Sequence, residues 1–244
     1  MERKKTRKIM VGNVPVGGHS PITVQSMTNT ITKDINSTVS QIKKLEKAGC
    51  HIIRAAITDY DDAKAIKEIK KSIKIPFIAD IQFDYKLANG ADCLRINPGN
   101  IGSEIKVKEV VDACKDRDVP IRVGVNSGSI NKEYLEKYNG VNEDSMVYSA
   151  MEHIRFLESM NYDNIKISLK ASSVPLTIKT YDKMSQMVDY PLHLGVTEAG
   201  PVWRGTIKSA VGIGTLLSMG IGDTIRISLT GDPIEEVRVG REIL

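Results

Sequence analysis

Basic side chains occur within or just after several apolar segments of this sequence, where a parallel sheet would place its chemistry. In the segment DCLRINPGNIG, Arg95 lies inside an apolar run and Asn97 follows two residues later, directly before a Pro-Gly turn. Burying an unpaired guanidinium is costly, so either a carboxylate or a ligand has to meet its charge. Arg95 therefore indicates either an internal ion pair or a binding site.

The other strand-like segments carry polar residues in similar places. The complete set is Arg54, Asp80, Gln82, Arg95, Asn97, Arg122, Asn126, Lys170, His193, Glu198, Arg226 and Ser228. Each member taken alone has an ordinary explanation, since a single strand arginine can be ion-paired or face outward. His193 could equally be a hydrogen-bonded core histidine. Only the number of basic residues, spread over several strands, favours a shared site.

Four of these arginines and one lysine would repel one another if the fold brought them together. They are Arg54, Arg95, Arg122, Lys170 and Arg226. Like charges in close contact cost about 1 kcal/mol or more per pair, and Asp80 and Glu198 are too few to neutralise the set. A dense anion such as a diphosphate explains the pattern, because arginine binds phosphate bidentately and lysine binds it as a point charge. The two carboxylates would then be free for proton transfer.

Strands that alternate with helices would hold these residues on one face. The apolar segments are 22–27, 51–56, 76–81, 92–97, 120–126, 164–172, 191–200 and 223–233. Amphipathic segments separate them, and the first is predicted to be a helix over 37–49 with Ser37 as N-cap and Gly49 as its stop. Eight alternating units predict an α/β fold, a (β/α)8 TIM barrel with its site at the carboxyl ends of the strands. An open doubly wound sheet is the rival, but no GxGxxG follows the first strand.

Two features lie outside the regular alternation. Residues 7–20 predict a small hairpin that covers the bottom of the barrel, so the expected division is a tail and hairpin over 1–20 and a TIM barrel over 21–244. Between Ile81 and Leu94 stand only the twelve residues QFDYKLANGADC. That length is close to the minimum for a parallel crossover. This unit is either abbreviated or has lost residues.

Composition restricts the functional classes. The chain has 244 residues, a net charge of +4 and 5% aromatic residues, which disfavours stacking on nucleic-acid bases. No apolar stretch approaches the ~20 residues of a membrane span, and the start has no secretory pattern, so we expect a cytoplasmic protein. The three cysteines show no CxxC spacing. They are predicted to be buried free thiols rather than metal ligands.

Several segments together resemble the 4-hydroxy-3-methylbut-2-enyl diphosphate synthase family of the non-mevalonate isoprenoid pathway. They are TVQSMTNT, RINPGNIG, IRVGVNSGS, ISLKAS, PLHLGVTEAG and SAVGIGTLLSMGIGDTIRISLTGDP, and the resemblance runs from about Thr6 to Leu244. It implies a dihydropteroate synthase-like TIM barrel that binds 2-C-methyl-D-erythritol 2,4-cyclodiphosphate. The implied enzyme is an oxidoreductase that opens this ring in a two-electron reduction with loss of water. Ferredoxin or flavodoxin would supply the electrons through a 4Fe-4S cluster, and the protein would be a homodimer.

The resemblance also implies roles for the residues at the strand ends. Glu198, in TEAG, matches the carboxylate that handles protons near the reacting carbon, and Asp80 joins it in the catalytic set. The diphosphate would be held by Arg54, Arg95, Arg122 and Lys170, with Arg226 and Ser228 assisting. Asn97 and Asn126, together with Asp80, would contact the hydroxyls and phosphates of the substrate.

The sequence departs from the family pattern in three places. The family binds its cluster with cysteines of a CPxCGR-like motif, a later cysteine and a glutamate, and this chain to Leu244 has none of these. We therefore expect a barrel portion that binds substrate without reducing it. Gln82 stands where the family has histidine, and an amide cannot carry a proton in acid–base catalysis. Finally, the family has additional helical turns where YKLANGAD is short.

Two other interpretations remain open from the sequence. One is a pterin-binding condensing enzyme of the dihydropteroate synthase type, which would have a deeper and less cationic pocket. The other is a non-catalytic anion-binding fragment, which the missing cluster cysteines favour. Substrate binding and cluster formation distinguish these interpretations from the first.

Overall fold

A computed structural model of the chain describes residues 2–81, 90–96 and 104–244. The predictions for Gln82 and Asn97 lie outside the described residues. The same holds for most of the short unit before the fourth barrel strand.

Parallel strands make up the centre of the protein, and a short antiparallel pair precedes them. The described strands are β1 (Ile9–Val11), β2 (Val14–Val16), β3 (Thr23–Met27), β4 (Ile52–Ile57), β5 (Phe77–Ile81), β6 (Cys93–Ile96), β7 (Ile121–Asn126), β8 (Ile165–Lys170), β9 (His193–Leu194) and β10 (Thr224–Ile225). β3 to β10 form one eight-stranded sheet in the order β8-β7-β6-β5-β4-β3-β10-β9. A parallel bridge from Ile167 to Leu192, just before β9, brings the two ends of this sheet together. The predicted (β/α)8 barrel is confirmed.

Helices surround the barrel and cover the outer faces of its strands. Those described are α1 (Ile35–Lys47), α2 (Tyr60–Ser72), α3 (Glu104–Lys115), α4 (Lys132–Lys137), α5 (Glu143–Ser159), α6 (Val174–Met187), α7 (Val202–Ser218) and α8 (Pro233–Ile243). Apolar residues at helical spacing, such as Ile42 and Leu45 of α1, are fully buried against the strands. Within the described ranges, no helix combines the length and the apolar character needed to cross a bilayer.

The start of α1 differs from the sequence prediction. The helix begins at Ile35, and its N-cap is Asp34 rather than Ser37. The Asp34 carboxylate accepts hydrogen bonds from the backbone N–H and the hydroxyl of Ser37, at 3.1 and 2.6 Å. Aspartate and serine are both good N-caps, so sequence alone does not separate them, and the N-cap lies three residues before the predicted Ser37. Gly49 does follow the helix, with a φ of +99°.

The hairpin of β1 and β2 covers the amino ends of three barrel strands. Its apolar side chains share a small core with the first residues of β4, β5 and β6. This core consists of Ile9, Val11, Val16, Ile52, Ile78 and Cys93. Active sites of such barrels lie at the opposite face, so the hairpin contributes stability. The division of the chain at residues 20 and 21 stays a prediction.

Two substitutions on β1 test this role of the hairpin. Val11 is fully buried, whereas Met10 beside it is 43% exposed. Val11→Ala is expected to lower the free energy of unfolding by about 2 kcal/mol, because it leaves a cavity under the barrel. Urea unfolding measures the change. Met10→Ala is the matched control and should lie close to wild type; equal effects of both substitutions would contradict the packing described here.

Candidate functional site

Polar side chains replace apolar ones along a continuous row inside the barrel. Asp80 of β5 pairs in register with Arg95 of β6, Arg95 pairs with Arg122 of β7, and Arg122 pairs with Lys166 of β8. Because alternate residues of a strand point to the same face, Lys170 lies on the same side of β8 as Lys166. All five side chains are at most 8% exposed. Arg122 is the second residue of β7, so its backbone lies deeper in the barrel than that of a residue at the carboxyl end of a strand.

Asp80 is the centre of the ion pairs in this row. Its Oδ1 accepts a hydrogen bond from Nη1 of Arg95 at 3.1 Å. Its Oδ2 lies 3.6 Å from Nε of Arg54. Burial alone would raise the pKa of Asp80, but the charges of Arg54 and Arg95 outweigh burial and lower the pKa. Asp80 is therefore an ionised carboxylate that fixes two arginines from neighbouring strands.

The other nitrogens of these arginines have weak partners or none. Nε and Nη2 of Arg54 lie 3.2 and 2.8 Å from the sulfur of Met27, and a thioether is a poor acceptor. In the described part of the chain, Nε of Arg95 and both Nε and Nη1 of Arg122 are buried without a hydrogen-bond partner. Buried donors of this kind are expected to meet water or a ligand.

Lys170 and His193 form the second polar contact at the barrel axis. Nζ of Lys170 lies 3.3 Å from Nε2 of His193, and the imidazole is fully buried. Burial, reinforced by the charge of Lys170, holds the pKa of His193 well below its ordinary value. A neutral imidazole can therefore share a hydrogen bond with the amine of Lys170, and the histidine tautomer decides which nitrogen donates. The hydroxyl of Tyr181 on α6 donates to the backbone carbonyl of His193 and accepts from the N–H of Leu169, which fixes β8 and β9 together.

Glu236 provides the second carboxylate beside the cationic row. It lies on α8, and its Oε2 is 3.5 Å from Nη2 of Arg226. The hydroxyl of Ser26 also donates to Oε2, at 3.4 Å, and the N–H of Leu229 donates to Oε1, at 3.0 Å. Glu236 is thus engaged by one arginine and two neutral donors.

Two glycines make room for the basic side chains. A Cβ on Gly195 would stand 2.6 Å from Nζ of Lys170 and 2.5 Å from the carbonyl oxygen of Arg226. A Cβ on Gly124 would stand 3.2 Å from Nε of Arg95. Larger residues at either position would displace the cations. Both glycines are therefore needed because a basic side chain lies close to their backbone, not because of an unusual backbone conformation.

Burial lowers the pKa values of four basic groups at this site. It lowers the pKa of Arg122 to about 10 and that of Lys166 to about 8. The pKa of Lys170 lies well below its ordinary value, and so does that of Arg54, although Asp80 partly offsets the effect. Charges of the same sign inside a closed barrel are therefore unfavourable until an anion meets them.

Three remaining predicted residues lie at the mouth of the barrel. Asn126 ends β7 in register with Lys170 and is half-buried, as is Ser228 after β10. Glu198 is exposed and adopts a φ of +50°. Its turn is held at the carboxyl ends of the strands, because the N–H of Thr197 donates to the carbonyl of Ala171 at 3.1 Å. The fold thus brings Arg54, Arg95 and Arg122 close to Asp80 and leaves Glu198 outside their ion pairs. Arg226 pairs instead with Glu236, and Lys170 contacts His193.

Sequence reasoning missed Lys166 and Glu236. Lys166 precedes Lys170 by four residues in IKISLK, so the period of two already placed both on the inner face. Glu236 lies at helical spacing with the buried residues Pro233, Val237 and Gly240, which indicated a buried carboxylate. Neither signal is visible when only the last polar residues of each strand are considered.

The described residues do not fit an iron–sulfur cluster. Cys50, Cys93 and Cys114 are buried free thiols, and burial raises the pKa of Cys50 and Cys114 to about 12. No group of three or more histidine, cysteine, aspartate or glutamate side chains in the described ranges could hold a metal ion. Cluster chemistry is therefore not assigned to any of these residues.

Comparisons with known proteins agree with the geometry. The model of the GcpE TIM-barrel domain matches residues 6–241. The "4-hydroxy-3-methylbut-2-en-1-yl diphosphate synthase (flavodoxin)" of Clostridium perfringens is 59% identical over 249 residues, covering 100% of this chain and 71% of the relative. The protein of the same name from Caldanaerobacter subterraneus subsp. tengcongensis is 61% identical over 247 residues, covering 99% of this chain and 70% of the relative.

Solved structures establish the fold class. The chain superposes on 7,8-dihydropteroate synthase from Vibrio fischeri with a TM-score of 0.64 and 12% identity, covering 97% of each chain. For dihydropteroate synthase from Stenotrophomonas maltophilia the TM-score is 0.67 at 10% identity, again covering 97% of each chain. At such low identity the likeness concerns the barrel alone and carries no pterin chemistry.

The ion pairs of Asp80 predict a pH-dependent contribution to stability. Asp80→Asn leaves two buried guanidinium groups without their carboxylate, so the free energy of unfolding should fall by about 3 kcal/mol at pH 7. The folded-state pKa of Asp80 is lowered. Its contribution is therefore present above the unfolded pKa of about 4 and is lost as the pH falls through the folded pKa. Urea unfolding of both proteins at pH 7 and below pH 4 measures this difference.

Asp61→Asn is the control for this prediction. Asp61 forms an exposed ion pair with Lys64 at 3.1 Å, with side chains 67% and 78% exposed. Such surface pairs contribute about 1 kcal/mol or less. If Asp80→Asn were no more destabilising than Asp61→Asn, Asp80 would not be the centre of the buried ion pairs.

Proposed function

Because this chain belongs to the GcpE TIM-barrel domain family, we propose that it is the substrate-binding barrel of a 4-hydroxy-3-methylbut-2-en-1-yl diphosphate synthase. The substrate would be 2-C-methyl-D-erythritol 2,4-cyclodiphosphate and the product (E)-4-hydroxy-3-methylbut-2-enyl diphosphate. The conversion consumes two electrons and two protons, breaks the ring and releases one water. It belongs to isoprenoid biosynthesis.

The observation that supports this proposal most strongly is the imbalance of buried charge. Among the described residues, the site combines six basic side chains with two carboxylates. The basic residues are Arg54, Arg95, Arg122, Lys166, Lys170 and Arg226; the acidic residues are Asp80 and Glu236. A diphosphate would supply the missing negative charge and the acceptors for the unpartnered guanidinium nitrogens. Arg54, Arg95, Arg122 and Lys170 would hold it, with Arg226, Ser228, Asn97 and Asn126 assisting.

The two proposed catalytic carboxylates would have separate tasks. Asp80, with its lowered pKa, would stay ionised, orient Arg54 and Arg95, and accept a hydrogen bond from the substrate. Glu198 would exchange protons near the reacting carbon, since it lies exposed at the mouth of the barrel. Its positive φ of +50° is unfavourable for a glutamate, at a cost of about 1 kcal/mol or more, and such strain is concentrated at functional sites.

The redox part of the reaction needs groups beyond those described. We propose that a 4Fe-4S cluster delivers the electrons and that its ligands are not among the residues of this chain. Two relatives carry flavodoxin in their names, and this chain matches 70–71% of their length. Flavodoxin, or ferredoxin in its place, would be the reductant, and the working enzyme would be a cytoplasmic homodimer.

Calorimetry with the cyclodiphosphate tests the proposed binding function. The wild-type chain should bind, and Arg122→Met should lower the affinity about tenfold or more, because a charge-assisted hydrogen bond to phosphate contributes about 1.5–3 kcal/mol. Arg95→Ala should weaken binding in the same direction. Arg238→Ala is the control, since this arginine is 65% exposed and pairs with Glu235 on α8. Absence of wild-type binding at millimolar ligand would refute the proposal.

Anaerobic reconstitution tests the assignment of the cluster. Iron and sulfide added to the 244-residue chain should give no 4Fe-4S absorbance, because its three cysteines are buried in the core. A relative that includes the remaining length serves as the positive control. A stoichiometric cluster on this chain would show that its cysteines rearrange to bind iron.

A further inference from the structure

Lys166 is a buried lysine that the proposed binding role does not explain. It is the second residue of β8 and is 0% exposed. Its register partner on β7 is Arg122, which is itself 2% exposed. In the described part of the chain, Nζ of Lys166 has no hydrogen-bond partner. A buried ammonium without a partner is among the costliest groups in a protein.

The charged and titratable groups that the structure describes at the interior leave no acid for Lys166. They come from every strand from β4 to β9, from the residue that follows β10 and from α8. They are Arg54, Asp80, Cys93, Arg95, Arg122, Lys170, His193, Arg226 and Glu236. Asp80 is occupied by two arginines, and Glu236 is occupied by Arg226 and neutral donors. Within the described ranges, no carboxylate is therefore left to pair with Lys166.

We propose that Lys166 is a proton-linked counter-charge for the bound diphosphate: its buried, unpartnered amine takes up a proton when the anion binds. This inference rests on the proposed function and adds a residue and a thermodynamic property to it. Lys166 would lie one layer of side chains below the ligand and would respond to its charge without touching it. Lys170 and the arginines would contact the anion directly.

The direction of the proton linkage follows from the surroundings. Burial lowers the pKa of Lys166 to about 8; Cys93 opposes this effect, and the charge of Arg122 adds to it. A diphosphate above Arg122 would supply negative charge and raise that pKa. Proton uptake on binding is then small below pH 7, reaches roughly half a proton at pH 8 and approaches one proton at higher pH. Lys170 and His193 can add to the total.

Isothermal titration calorimetry measures this uptake. The cyclodiphosphate is titrated into the 244-residue chain at pH 7.0 and pH 8.5, each in two phosphate-free buffers of different ionisation enthalpy. Wild type is expected to take up more protons at pH 8.5 than at pH 7.0. Lys166→Met should still bind, with uptake at pH 8.5 lower by roughly half a proton or more. Without ligand, this variant should melt at least as high as wild type, because methionine removes a buried unpaired amine.

Two further variants make the result specific. Lys179→Met, on the exposed surface of α6, is the matched control and should show wild-type uptake. Lys166→Gln carries the same expectation as Lys166→Met if the methionine variant does not fold. Equal uptake by wild type and a Lys166 variant, with binding intact, would overturn this inference alone. Loss of all binding by wild type would overturn the proposed function, and this inference with it.

Discussion

Desolvation of like charges inside a closed barrel is the constraint on which the rest of the site depends. Arg54 and Arg95 can be held side by side because Asp80, on the strand between them, remains ionised and bridges both. Arg226 is held in the same way by Glu236. Beyond these pairs, the described part of the chain offers no acid to the remaining basic groups, and burial lowers the pKa values of Lys166 and Lys170. The described side chains thus leave positive charge that is not balanced within the site and that a bound anion would balance.

The fold tolerates this arrangement because the strands have two different faces. On β8, Ile165, Ile167 and Leu169 belong to the apolar core under the helices, whereas Lys166 and Lys170 face the axis. Side chains inside barrels of this type are usually bulky and apolar. Here the layer between strands and helices supplies most of the hydrophobic stabilisation, and part of the inner layer is given over to charge. The hairpin core at the amino ends adds apolar contacts on the face opposite the site.

Local patterns predicted the barrel and most of the cationic row, since the period of two and the helical spacing are properties of short segments. They could not predict which charges neutralise each other. The contact of Glu236 with Arg226 depends on how α8 folds back on the barrel, and nothing within IEEVRVG indicates it. Likewise 191–200 reads as a strand, yet β9 spans only His193–Leu194, and the backbone at Gly195 lies close to Nζ of Lys170. Asn97 stays a prediction from sequence alone.

The proposed binding groups and the proposed catalytic carboxylate Glu198 lie at different depths along the barrel axis. The basic side chains are buried, whereas Glu198 is exposed in a turn tied by Thr197 to the exit of β8. A substrate whose diphosphate enters first would therefore leave its carbon skeleton toward the mouth, beside Glu198. Electrons would also have to arrive from that side, since the hairpin covers the opposite end near β4, β5 and β6. If the diphosphate binds deep in the barrel and the carbon skeleton reacts at its mouth, the barrel would retain the anion while a separate redox group acts on the exposed carbon.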